Sequence, residues 1–269
     1  MSTLTVERES GRVAAPRPNA QPIPMSRLTA IELRKMFVTR SGFWLMTSIG
    51  ITALLATGAV ILWAPDGEVT FNNFAAAIGV PMTIILPMIA ILSVTSEWSQ
   101  RSGLTTFTLV PHRSRVIRAK AISAVGVGVV SMIVAFSIGA LGNLVGATIR
   151  GTALVWDLTL ANLGYIMIAN VLGLLMGFML GVLIRNSAGA IVGYFVYSFV
   201  VPTVFGILAA SQGWFRDIQG WVDFQFSSTR LFDGALTGEQ WANLGVSGLI
   251  WLILPMTVGV WLVLRSEVK

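Results

Sequence analysis

The hydrophobic pattern of this 269-residue chain is blocky. Long apolar stretches alternate with short polar ones, at roughly 43–63, 75–95, 119–147, 160–184, 188–209 and 245–264. A helix needs about 20 apolar residues to cross the hydrocarbon core of a bilayer, so each stretch predicts one spanning helix. Lipid offers no partner for a bare backbone N–H or C=O, which makes a helix the expected form. Lys120 sits at the mouth of the third stretch, and otherwise no Asp, Glu, Lys, Arg or His lies inside any of them. The expectation is an all-α integral membrane protein with six transmembrane helices.

Three polar regions interrupt this plan. Residues 1–25 hold Pro16, Pro18, Pro22 and Pro24 and few large apolar groups, which predicts a disordered cytoplasmic tail. No apolar run near the start resembles a cleaved signal peptide, so the first span is expected to direct insertion. Residues 26–41 follow, with Leu28, Ile31, Leu33, Met36 and Phe37 on a broad apolar side. Arg27, Glu32, Arg34, Lys35 and Arg40 make up the polar remainder. That pattern suits an amphipathic helix lying in a headgroup layer. It serves either as a positively charged anchor for the first span or as an elbow that also touches a cytoplasmic partner. Residues 210–244 are too polar to span, yet they carry Trp214, Phe215, Ile218, Trp221 and Phe224. They predict one or two amphipathic helices dipping into the far interface.

Composition agrees with the membrane assignment. Apolar residues make up 55% of the chain and charged residues 11%, with a mean hydropathy of +0.78. A soluble domain carries about 25% charged residues, so this chain could not cover a water-facing surface. The net charge of +6 matters less than its placement, and no nucleic-acid partner is read from it. Fifteen of the eighteen Lys and Arg residues fall before the first span, between spans two and three, between four and five, or after six. The basic bias places both termini in the cytoplasm. The acidic residues Asp66, Glu68, Asp157, Asp217, Asp223, Asp233 and Glu239 all fall on the other side. Trp63, Trp156, Trp214, Trp221 and Trp241 then mark the outer interface, and Trp44, Trp98 and Trp261 the inner one.

The connection after span two is the most distinctive segment. Residues 96–118 carry Glu97 and Arg101 at i,i+4, then Gly103, then Leu104, Phe107 and Leu109 on an apolar face, then Pro111 and a basic cluster. An exposed Glu–Arg pair contributes only a few tenths of a kcal/mol, so stability is a weak reason for it. An exposed apolar face between charged clusters fits a protein partner, the alternative being a basic loop held by anionic lipid.

Glu97-Trp98-Ser99-Gln100-Arg101 followed by Leu104-Thr105-Thr106-Phe107, a proline and a basic cluster resembles the ABC-2 type permeases of bacterial, particularly actinobacterial, ATP-binding cassette exporters. Glu32-Leu33-Arg34-Lys35-Met36 resembles their elbow helix, and Leu264-Arg265-Ser266-Glu267-Val268 their basic C-terminal end. The resemblance covers about residues 26–269 and implies an ABC-2, type V exporter-like fold in the plasma (inner) membrane. It implies that 96–118 is a coupling helix seated in a groove of a separate ATPase, through Glu97, Trp98, Arg101, Leu104 and Phe107. Glu32, Arg34 and Lys35 of the elbow would make the second contact. Two permease chains would pair, as homodimer or heterodimer, and engage two ATPase copies that bind ATP and Mg. Residues 210–244 would form a re-entrant segment near the exit. The family's common Gly-Thr is here Gly103-Leu104-Thr105, which leaves the register of the coupling helix open by a residue.

The residues themselves argue against chemistry in this chain. No Gly-x-x-x-x-Gly-Lys-Ser/Thr run surrounds Lys35, Lys120 or Lys269, so no nucleotide cofactor is expected here. There is no cysteine, and the one histidine, His112, lies in a basic loop, so no catalytic or metal site is expected. Ion-coupled transporters place ionisable groups within the membrane, and the charge-free spans argue against that class. Asn143, Asn162 and Asn170 are the polar candidates for lining a path, which suits an amphiphilic drug, antibiotic or lipid-like cargo. An energy-independent channel and a non-transporting scaffold or sensor are the alternative readings. Gly139, Gly142 and Gly146 in the third span, and Gly173, Gly177 and Gly181 in the fourth, line one face each. Such faces predict close helix packing, within the chain or between subunits.

Overall fold

A computed structural model describes residues 23–99 and 113–265. Among these the structure is helical, with no strand. A short helix α1 (Met25–Val38) precedes α2 (Arg40–Trp63), α3 (Phe71–Ser99), α4 (Arg113–Arg150) and α5 (Leu160–Ile184). Next come α6 (Ser187–Ser211), the short α7 (Gly213–Val222) and α8 (Phe224–Thr229), and last α9 (Gly238–Arg265). Six of these, α2 to α6 and α9, are long and apolar enough to cross a membrane. The chain therefore has the architecture of a multi-pass membrane protein.

Local chemistry sets the breaks between helices. Thr39 separates α1 from α2 and caps the latter, its side chain accepting from the Gly42 amide at 3.2 Å. A Cβ at Gly42 would collide with the Met36 carbonyl, so the turn needs glycine there. Arg185 closes α5 in a left-handed conformation (φ 57°), and Asn186 then caps α6 through the Gly189 amide. At the other end, Arg150 of α4 reaches the Ile61 and Ala64 carbonyls and pairs with Asp66 at 2.5 Å. A cation on the last carbonyls of α2 complements that helix terminus.

All of the long helices but α5 run past their apolar windows. α4 has 38 residues, about 57 Å at 1.5 Å per residue, against a hydrocarbon core of about 30 Å. The largest departure is in 210–244. α7 and α8 supply the expected short helices, but from Gly238 onward the segment already belongs to α9. Its start is a capping box in which Thr237 and Gln240 exchange side-chain and backbone hydrogen bonds. The sixth long helix thus begins with two polar turns that a hydropathy window passes over.

α3 and α5 form the centre, with half or more of their apolar stretch buried, against 11% for α6. Gly177 makes that centre possible. A Cβ there would stand 2.7 Å from the Pro87 carbonyl oxygen and 2.9 Å from its Cα, so α5 meets the α3 backbone itself. The other glycines of that stripe are less tight: Gly181 faces Ile91 and Val94 at 3.4 Å, and Gly173 has Tyr194 Oη at 3.9 Å. On α4, Gly142 and Gly146 press on Phe74 at 3.1 Å, and Gly139 faces Ile78 at 3.4 Å. All six glycines, on their two faces, thus look onto helices of the same chain.

α6 and α9 each contain one widened, π-helical turn, at Val196–Val200 and Leu249–Ile253. Pro202 and Pro255 follow these turns by two residues. A proline ring crowds the carbonyl four residues back and leaves it without a donor, and a widened turn relieves that crowding. Tyr197 and Trp251, one from each π turn, meet with ring centroids 5.9 Å apart. Trp251 Nε1 also donates to the Val222 carbonyl at 2.7 Å, which ties α7 to this junction.

Candidate functional site

The polar chemistry concentrates where α1 lies across the ends of α3 and α4. Leu28, Glu32 and Met36 recur every four residues on α1 and are its buried face. Glu32 is therefore turned inward, which corrects its expected place on the polar side of this helix. Its carboxylate accepts from Lys120 Nζ at 2.6 Å and from Lys35 Nζ at 2.7 Å. Lys120, on α4, also donates to the Ser93 carbonyl of α3 at 3.0 Å. One buried cation thus joins α1, α3 and α4. Two further bonds run alongside: Ser123 Oγ donates to the Thr29 carbonyl at 3.0 Å, and Arg115 donates to the Ile23 carbonyl at 2.6 Å.

A charge taken from water is costly unless paired and hydrogen-bonded, and here both conditions hold. Burial pushes the Glu32 carboxyl up. The ion pair and hydrogen bond to Lys120, with Lys35 adding, more than offset that and hold it below its ordinary value. The pair is neutral as a unit, so this junction is built for attachment. Of the other α1 residues expected to make a contact, Arg34 is exposed and Lys35 keeps about half its side chain in contact with solvent.

A cavity of about 290 Å³ opens beside the junction, between α1, α2 and α3. Lys35, Ser41 and Ser96 give it a polar rim, and Met36, Leu45 and Leu92 an apolar floor. Such a mixture suits an amphiphilic group. Nearby, Thr95 and Ser187 share a hydrogen bond of 2.7 Å that joins the end of α3 to the start of α6. Tyr194 Oη donates to the Thr83 carbonyl at 2.6 Å, a second α6–α3 link deeper in the bundle.

The expected coupling residues divide. Glu97 and Trp98 belong to the last turn of α3, and Trp98 is half-buried against the main apolar core. Arg101, Leu104 and Phe107 lie outside the described residues, as do 1–22 and the C-terminal 266–269. Since α3 ends at Ser99 and α4 starts at Arg113, the intervening segment joins two helices that Lys120 already ties together. Of the expected path-lining groups, Asn143 and Asn170 are buried and donate to the Val155 and Ile166 carbonyls. Each keeps a buried side-chain oxygen with no hydrogen-bond partner among the described residues. Among the described residues no cluster of His, Asp or Glu could hold a metal ion.

Lys120 and Ser93 are the site residues that sequence reasoning passed over. The signal was available: a lone lysine inside an apolar run needs an anion, and Glu32 is the only acidic residue in α1, α2 and α4 together. No family model matches the chain, and no curated protein matches it.

Proposed function

We propose that this chain is the membrane permease subunit of an ATP-binding cassette exporter of the ABC-2 type, moving an amphiphilic cargo outward. The observation that carries the reading is the Glu32–Lys120–Ser93 junction. It makes α1, α3 and α4 one mechanical unit beside segment 96–118, the segment that resembles a coupling helix. A push on that segment would reach α3, and through the Gly177–Pro87 contact it would reach α5. The energy would come from ATP and Mg bound to two copies of a partner ATPase, with a second permease chain completing the transporter. The basic bias supports a cytoplasmic position for the α1 end and for both termini, in the plasma membrane.

The test is a pull-down of the full chain from its native host, followed by ATPase assays of the reconstituted complex. An ATPase subunit should co-purify. Glu97→Ala and Leu104→Arg should lower cargo-stimulated ATP hydrolysis at least several-fold while membrane insertion is unchanged. Wild-type stimulation in both variants would remove the coupling role, and transport without any ATPase would sink the exporter reading.

A further inference from the structure

On the face of α1 next to the ion pair lies a larger, almost wholly apolar groove of about 600 Å³, between α1, α2 and α4. That is within the size range that holds a drug-sized ligand. Leu33 and Phe37 form its α1 wall, Ile49 and Gly50 its α2 wall, and Ile122 and Gly126 begin its α4 wall, which runs on to Val134. From Ile122 to Val134 the groove follows α4 for about 18 Å at 1.5 Å per residue. That is close to half of a hydrocarbon core of about 30 Å, the depth of one leaflet.

Two observations indicate what fills it. First, a Cβ at Gly50 or at Gly126 would meet nothing within 4 Å. Unlike Gly177, these glycines do not admit a neighbouring helix. Both line the groove, and the missing side chains widen it. Second, the charge at the α1 end of the groove has one sign. Arg118 precedes Ile122 by four residues on the same side of α4, Arg34 adjoins Leu33 on α1, and both are exposed. The three helices that form the groove contain one acidic residue, Glu32, and it is not in the groove lining but buried against Lys120.

The geometry points to a resident anionic glycerophospholipid, with one acyl chain in the α1–α2–α4 groove and its phosphate between Arg34 and Arg118. Guanidinium groups suit this role because their donor forks match phosphate oxygens. The lipid would complete the packing of α1 on the side that the Glu32–Lys120 pair leaves uncovered. This inference is independent of the exporter reading and holds for any function of the chain.

The experiment places the full chain in nanodiscs of equal parts phosphatidylglycerol and phosphatidylcholine. The lipid retained after detergent extraction is then identified by mass spectrometry. Wild type should retain phosphatidylglycerol preferentially. Joint Arg34→Gln and Arg118→Gln should reduce that preference on the order of thirtyfold, from about 1 kcal/mol for each basic residue near an anionic surface. Gly126→Leu adds a side chain where a Cβ would meet nothing within 4 Å, and it should lower retention of both lipids with little change in melting temperature. Gly50→Leu, on the facing wall, should do the same and serves if Gly126→Leu misfolds. Equal retention of the two lipids by wild type overturns the proposal, as does unchanged retention in the leucine variants. Cross-linking of position 126 between two copies would show that the groove holds protein instead.

Discussion

At the scale of single residues, Glu32 and Lys120 are the most consequential pair among the described residues. Their side chains are 9% and 5% exposed and their atoms meet at 2.6 Å. Removing one partner of a buried pair leaves an uncompensated charge and costs about 3–5 kcal/mol, whereas replacing both by apolar groups is often neutral. Glu32→Ala or Lys120→Ala should therefore release α1, seen as faster hydrogen exchange over residues 25–38. Joint Glu32→Leu and Lys120→Met should restore much of the protection. Equal exchange in the single variants and in wild type would show that α1 is held by Leu28, Met36 and lipid alone. Acid should act like the single substitutions. Because the folded Glu32 carboxyl lies below its ordinary value of 4.5, its contribution is complete above that value and is lost as pH falls through the folded pKa. Release of α1 should accordingly begin only below about pH 4.5, and the Glu32→Leu, Lys120→Met variant should lack that transition.

At the scale of helices, close contact and open space divide the glycines. Gly177→Ala sets a methyl group against the Pro87 backbone, which cannot rotate away, and should cost about 1–3 kcal/mol. Gly164→Ala, on the same helix with nothing within 4 Å, should be neutral or raise stability by up to about 1 kcal/mol through helix propensity. Thermal melting in detergent checks both, and a neutral Gly177→Ala would mean that α3 and α5 slide freely. The glycine spacing made this stripe legible in the sequence, but Gly177's partner was not, because nothing in a one-dimensional pattern says which helix a face meets. The six spans were legible for a stronger reason, since apolar length alone selects them. Their ends were not, because helices such as α4 and α9 continue through interface and water, where hydropathy carries no signal. Thr237-Gly-Glu-Gln240 did mark the start of α9, in the language of capping rather than of hydropathy. The π turns before Pro202 and Pro255 had no such marker. Pro81 and Pro87 sit inside α3, a single unbroken helix, so the proline alone does not set the turn.

At the scale of the whole molecule, the fold sorts the charges between two ends. The helices alternate in direction, so the α1 end gathers Glu32, Lys120, Arg185 and Arg265, and the opposite end gathers Arg150, Asp157 and Asp223. The exporter reading needs the α1 end in the cytoplasm, where an ATPase can reach segment 96–118. The chain has no cysteine, so single-cysteine variants report cleanly. Ala30, on the exposed side of α1, and Ala153, exposed in the connection between α4 and α5, mark the two ends. In intact cells a membrane-impermeant maleimide should label Ala153→Cys and spare Ala30→Cys, and permeabilised cells should show both labelled. The reverse pattern would turn the molecule over and put the coupling-like segment outside, where no ATP is available. That outcome would end the exporter reading while leaving the Glu32–Lys120 junction and the lipid groove as they stand.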